Sequence, residues 1–217
     1  MIEFIRVTRT YPKGRGVQDV SLRVEKGDWA LLAGPAGAGK TTLLKMVYAS
    51  EQPVEGDVLV GSFRIASLRQ KDVPTLRRML GVVDQDLSLL FDRTVYRNVA
   101  LVGEVLGWSR RKIRRESLKV LNQVGLYAHL DAYPESLSYG ERRRLAIARA
   151  LVADPFALIA DEPLGHLDPE SARGIVELFA RLHRQGATML MATHRVEFFE
   201  QHHPKVFRIQ RGRLLHS

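Results

Sequence analysis

At 217 residues with no cysteine, the chain is long enough for one buried core and lacks a disulfide framework, a thiol nucleophile and a cysteine zinc site. Its 33 Lys and Arg against 24 Asp and Glu leave a formal charge of +9. That excess suits nucleic acid, ribosome, an anionic membrane surface or a polyphosphate ligand without choosing among them. No apolar run is long enough to cross a bilayer, and Met1–Arg6 alternates like a strand rather than opening a signal peptide. A soluble cytoplasmic protein is expected.

Glu3–Thr8 and Ser21–Val24 alternate as strands, with Gly14 and Gly16 in the turn region between them. "DWALLA" (28–33) reads as a buried strand running into a glycine-rich loop, followed by a helical pattern from Lys40 to Tyr48. Gly56-Asp57 introduces another alternating stretch over 57–65. Residues 87–153 then read as mainly helical. Within them "SRRKIRRES" (109–117) begins a helix at Ser109 that gathers Ile113, Val120, Leu121 and Val124 on one face. Its arginines are left on the solvated side. "FALIAD" (156–161) and "ATMLMATH" (187–194) are buried strands flanking a helix over Pro169–Arg184. Apolar strands alternating with helices predict an α/β domain with a parallel sheet covered on both faces, an early antiparallel portion and a helical insertion.

"GPAGAGKTT", Gly34 to Thr42, follows a strand and opens a helix, as the Gly-x4-Gly-Lys-Ser/Thr phosphate loop requires. Gly34, Pro35, Ala36, Gly37, Ala38 and Gly39 supply a loop whose N–H groups, all but that of Pro35, which has none, can curl toward phosphates. Lys40 can neutralise the β/γ-phosphates, Thr41 can ligate Mg²⁺, and Thr42 lies in the first helical turn. Asp161 ends a core strand and can hold Mg²⁺, while the adjacent Glu162 is placed to polarise the attacking water. Three further residues each keep two readings. His194 ends a strand either beside the γ-phosphate or as a structural histidine. Gln85 either reaches the metal or water through its amide or lies on a loop surface. Tyr11 either stacks on adenine or packs on the sheet. Ser138 and Gly140 bracket Tyr139 at a helix start that suits an anion. Leu87, Leu89, Leu90 and Phe91 serve either coupling to a partner or packing inside the helical segment.

In chain order, "GPAGAGKT", "VVDQ", "LSYGE", "ALIADEP", "LGHLD" and "THR" resemble the Walker A, Q-loop, signature, Walker B, D-loop and His-switch elements of ATP-binding cassette (ABC) transporter ATPases. The resemblance spans nearly the whole chain. It implies one ABC ATPase domain over 1–217, a P-loop NTPase fold with a RecA-like core, and a helical signature subdomain at 87–153. It also implies ATP and Mg²⁺ as cofactors, with Thr41, Gln85 and Asp161 toward the metal, and a head-to-tail homodimer that closes on two ATP molecules. Ser138 and Gly140 then meet the γ-phosphate held by the other copy, and Asp168 takes part in communication across the dimer. Tyr139 departs from the usual Gly-Gly signature, His166 stands where the family usually has Asn, and Arg195 follows the switch histidine where Asp is common. Asp84 replaces the usual aromatic before Gln85.

"DQDLSLLFDRTVYRNVALVGEVLG" (84–107), with "GKTTLLKM" and "ADEPLGHLDP", is similar to the bacterial cell-division cassettes of the FtsE family. That resemblance implies an integral membrane partner, FtsX, control of cell-wall hydrolases, and a peripheral position on the cytoplasmic face of the inner membrane beside anionic headgroups. Lipoprotein-release and macrolide-export ATPases have related cassettes and remain alternatives. So do a soluble cassette acting on nucleic acid or ribosome, weakened by the single cassette, and a slow-turnover ATP-gated scaffold. No specific nucleic acid partner is expected.

Overall fold

Trp29–Ala33 (β3) is buried along its whole length because it lies inside a sheet covered on both sides. In the computed structural model, which describes residues 1–12 and 15–215, Ala30 and Leu32 pack into one core cluster and Trp29 and Leu31 into the other. The period of two splits a continuous apolar run between two layers.

Ile2–Tyr11 (β1), Arg15–Val24 (β2), Glu55–Val60 (β4) and Phe63–Arg64 (β5) form an antiparallel sheet in the order β2-β1-β4-β5. Two sequence expectations change here. Gly16 is not in a turn: it pairs with Thr10 inside β2, which extends the ladder well beyond Ser21. The stretch 57–65 is not one strand but two, turned at Gly61 with φ 58°. Gly14 lies outside the described residues.

The second sheet takes Leu80–Val83 (β6), Ala157–Asp161 (β7), Met189–Thr193 (β8), Lys205–Gln210 (β9) and Arg213–Leu214 (β10) in the order β10-β9-β3-β8-β7-β6. All its pairings are parallel except β9 with β10. The register Ala33↔Thr193 and Asp161↔Ala192 brings three strand ends side by side, and Val83 ends the neighbouring β6. Open α/β sheets bind ligands at this carboxyl edge.

Lys40–Val47 (α1) and the antiparallel sheet cover one face, where Phe4, Leu22, Leu43 and Leu44 meet Ile159 and Leu190. Leu76 of Val73–Arg78 (α2), near the β6 edge, joins the same cluster, and the other face carries Val95–Val105 (α3), Arg110–Gln123 (α4), Tyr139–Leu151 (α5) and Pro169–Arg184 (α6). Side-chain caps begin four of these helices: Thr94, Ser109, Ser138 and Asp168 each accept a bond from a first-turn N–H. Such a cap is worth about 1 kcal/mol, and α6 matches its expected bounds. Asn98 is fully buried and staples the preceding loop, accepting from Leu90 N and donating to the carbonyls of Leu90, Arg93 and Thr94.

The segment after Gln85 divides. Leu87 and Leu89 are buried in the core, whereas Phe91 is 47% exposed with the Arg142 guanidinium 5.7 Å from its ring.

Candidate active site

The loop between β3 and α1 is shaped by its glycines. Gly39, immediately before α1, has φ 104°, and a Cβ there would meet Val17 Cγ1 at 2.5 Å and Gly16 O at 2.7 Å. Gly37 also has positive φ, at 76°, so the loop curls in a way L side chains rarely adopt. Lys40 then folds back and donates to Gly34 O at 2.7 Å and Pro35 O at 3.1 Å. Its side chain is 6% exposed, and Nζ lies 3.5 Å from Glu162 Oε1.

A cavity of about 300 Å³ opens over this loop, lined by Tyr11, Gly16, Ala36 to Thr42, Gln85 and Glu162. Five strand-end or loop elements therefore converge on one space. Gly34 and Pro35 lie just outside its lining and enter through their carbonyls on Lys40. Tyr11 has the Arg9 guanidinium 5.3 Å from its ring centre. Gly16 is the lining residue that the sequence reading missed; the phosphate-loop spacing gives no hint of β2.

Glu162 has φ 45°, the left-handed region that costs a non-glycine residue about 1 kcal/mol or more. Its N–H continues the sheet by donating to Ala192 O at 2.9 Å, which pins the strained residue. His194 Nδ1 stands 3.0 Å from Glu162 Oε2, so one carboxylate bridges Lys40 and His194. Asp161 sits behind it. Burial raises the Asp161 carboxyl pKa, opposed by a hydrogen bond with Thr41 and the charge of Lys40. Its Oδ1 is buried without a hydrogen-bond partner among the described residues. An orphaned carboxylate oxygen beside a threonine hydroxyl is a donor set that fits a hard divalent cation.

Asp161 and His194 are not in the lining and join the cavity through Thr41 and Glu162, whereas Ser138, Gly140 and Asp168 do not join it. Ser138 caps α5 through a reciprocal capping box: its oxygen accepts from Glu141 N, and its hydroxyl and N–H both donate to Glu141 Oε2 at 2.8 Å. Asp168 caps α6 through Glu170 N and Ser171 N, and the Ser171 hydroxyl together with these N–H groups holds its carboxyl below the ordinary range. Gly140 has space. A Cβ there meets only Ser171, at 3.4 Å, so the chain's own fold does not demand glycine at a helical position where alanine is worth about 1 kcal/mol.

A glycine loop over a helix start, a buried lysine, and an Asp-Glu pair with a histidine at neighbouring strand ends define a phosphate-cleaving nucleotide site. The chain belongs to the ABC transporter family, whose model matches residues 17–165, and it is an ABC-type ATP hydrolase. Its relatives include the cell division ATP-binding protein FtsE of Streptococcus pneumoniae (strain D39 / NCTC 7466), 42% identical over 216 residues, which are 99% of this chain and 94% of that one. The FtsE of Mycobacterium tuberculosis is also 42% identical with the same coverage, and that of Escherichia coli K12 is 40% identical, covering 99% and 97%. Among solved structures, CbiO1 of Clostridium perfringens superposes with TM-score 0.91 at 26% identity, covering 99% of this chain and 86% of that one. The cassette MJ0796, dimeric in a post-hydrolysis state with ADP and Pi, gives 0.87 at 27%, covering 100% and 97%.

Proposed function

We propose that this chain is the motor subunit of an FtsE-like division machine: ATP closes two copies head-to-tail, and closure drives an integral membrane partner of the FtsX kind that controls cell-wall hydrolysis. The observation that carries the dimer is the separation just described. Ser138 and Gly140 form a phosphate-suited helix start away from the chain's own cavity, so a second copy must bring it to the nucleotide.

Hydrolysis follows from the geometry. The loop N–H groups and Lys40 take the phosphate chain. Thr41, Gln85 and Asp161 would hold Mg²⁺, which supplies positive charge to the β/γ oxygens. Glu162 orients a water and accepts its proton as oxygen bonds to the γ-phosphorus and the bond to the β–γ bridging oxygen breaks. His194, holding Glu162 through Nδ1, presents Nε2 to the γ-phosphate.

A route to the membrane partner starts at Gln85. Two residues on, Arg149 donates to Leu87 O at 2.9 Å and Ser88 O at 2.6 Å. Arg149 also rims a largely apolar groove of about 450 Å³ whose lining includes Leu101, Val102, Val105 and Leu106 of α3 and its end, with Arg77 and Arg78 of α2. Such a groove fits a short amphipathic helix carrying carboxylates. On this reading residues 87–153 act as the arm that transmits closure. The exposed Arg110, Arg111, Lys112, Arg114 and Arg115 of α4, beside Trp108 with Lys112 3.9 Å from its ring, face anionic headgroups.

The test is co-purification with FtsX in detergent. Val105 is 68% exposed, so Val105→Asp spares the core; it is expected to lose FtsX while hydrolysing ATP normally. Retained binding removes the groove assignment. Failure of the unaltered chain to bind FtsX, with capture by a lipoprotein-release or macrolide-export membrane subunit instead, replaces the partner.

A further inference from the structure

The segment 163–168 joins Glu162 to the cap of α6, and both Glu162 and His166 hold positive φ, 45° and 59°. Strain of this kind persists only where neighbours over-determine it. Here the neighbours come from two directions. From the nucleotide side, Arg195, next to His194, donates to Leu164 O at 2.9 Å and Leu167 O at 3.2 Å. From the other side, Arg143 of α5 reaches Gly165 O at 3.3 Å. One turn earlier, the Tyr139 ring meets the His166 ring edge-on, centroids 6.0 Å apart, with the Arg143 guanidinium 5.8 Å from the Tyr139 ring.

Arg143 is the anomaly that gives this arrangement a purpose. Its side chain is fully buried, and its Nε and Nη1 have no hydrogen-bond partner among the described residues. A buried cation whose partners are one carbonyl and the Tyr139 ring is expensive, and a neutral side chain would fill the same space at lower cost. Of the chain's four departures from the residues usual in the family it resembles, Tyr139, His166 and Arg195 converge on this loop, while the fourth, Asp84, precedes Gln85.

We propose that Arg195, His166, Tyr139 and Arg143 form an intrachain relay, in which loop 163–168 transmits occupancy of the chain's own ATP site to the Ser138–Gly140 element that it offers to a second copy. All four are positioning residues: none touches the nucleotide cavity. The inference rests on the proposed head-to-tail dimer for its purpose, but the relay itself is a property of one chain and is measurable in a monomer.

The experiment is amide hydrogen exchange with and without Mg²⁺-ATP, in the Glu162→Gln background, at a concentration where light scattering shows monomers. ATP is expected to slow exchange over 139–142 roughly fivefold or more, as well as over the phosphate loop. Arg195→Ala and Tyr139→Ala should each abolish the slowing at 139–142 and leave that at 35–42 intact, whereas Tyr139→Phe should retain both. Tyr139 is 38% exposed, so its truncation spares the core if Arg195→Ala folds poorly. Arg143→Met should lose the relay without lowering Tm, which a merely structural arginine would not do. Absence of slowing at 139–142 in the monomer, or its survival in Tyr139→Ala, overturns the relay. Absence of an ATP-driven dimer at high concentration instead overturns the proposed function and leaves the monomer result standing.

Discussion

His194 Nδ1 lies 3.0 Å from Glu162 Oε2, and the other oxygen of that carboxylate lies 3.5 Å from Lys40 Nζ. Glu162 is thus oriented by one ring and one ammonium while its backbone is held in the left-handed region. Orientation of this kind gives a carboxylate its value in proton transfer, because the reacting geometry is set before the water arrives.

Glu162→Gln keeps the shape and loses the proton acceptor. We expect ATP binding within a few-fold of the parent, accumulation of an ATP-dependent dimer and phosphate release slowed about 100-fold or more. His194→Ala should slow release with a smaller effect on binding. Measuring nucleotide affinity and release on the same preparations separates the two, and normal release in Glu162→Gln rules out its assigned role.

Asp161 links stability to pH with an unusual sign. Its folded pKa is raised above the unfolded value by burial, so the ionised group disfavours folding. The penalty is absent below the unfolded pKa and grows as pH rises through the raised one. Asp161→Asn should therefore raise Tm at pH 7 in metal-free buffer, with the difference closing below about pH 4. Mg²⁺-supported hydrolysis should fall at the same time. A lower Tm at pH 7 in metal-free buffer would show that Thr41 and Lys40 already compensate the charge.

Ser138 has two roles that two substitutions separate. Ser138→Ala removes the cap and should cost about 1 kcal/mol of stability, together with ATP-driven closure. Ser138→Asn keeps a capping oxygen and an N–H to donate toward Glu141 but replaces the compact hydroxyl with a bulkier amide; Tm should stay near the parent while closure is lost. The reciprocal bond with Glu141 adds a pH signature. Its carboxyl is held below the ordinary range by the Ser138 hydroxyl and N–H, so its contribution is present above the unfolded pKa and fades as pH falls through the lower folded one. Thermal melts between neutral and acid pH report this.

Leu89 and Phe91 lie two residues apart with different expected fates. Leu89→Ala opens the core and should cost about 2–4 kcal/mol. Phe91→Ala loses mainly its contact with Arg142, about 0.5–1 kcal/mol, and should weaken binding to the membrane partner more than binding to ATP. Equal loss of both in Phe91→Ala, with a falling Tm, places Phe91 with the core.

The phosphate loop, the Asp-Glu pair, the helix starts at Ser109 and Ser138 and the bounds of α6 were legible in the sequence because each depends on residues within about four positions: a glycine pattern, a carboxylate closing an apolar run, a Ser before a first turn. Buried strands were legible for the same reason, as runs of 5 residues such as β3, β7 and β8. Strand order was not, nor was the pairing of Gly16 beside the nucleotide cavity, since pairing is settled by competition among distant segments for backbone bonds. Leu87 and Phe91 look alike in sequence, and only packing separates the buried one from the exposed one. The tertiary structure alone placed Arg195 and Arg143 on the same loop from opposite sides. Those contacts join residues 22 to 31 positions apart through main-chain carbonyls, whose chemistry is identical at every residue and so leaves no trace in the sequence of where a guanidinium will find them.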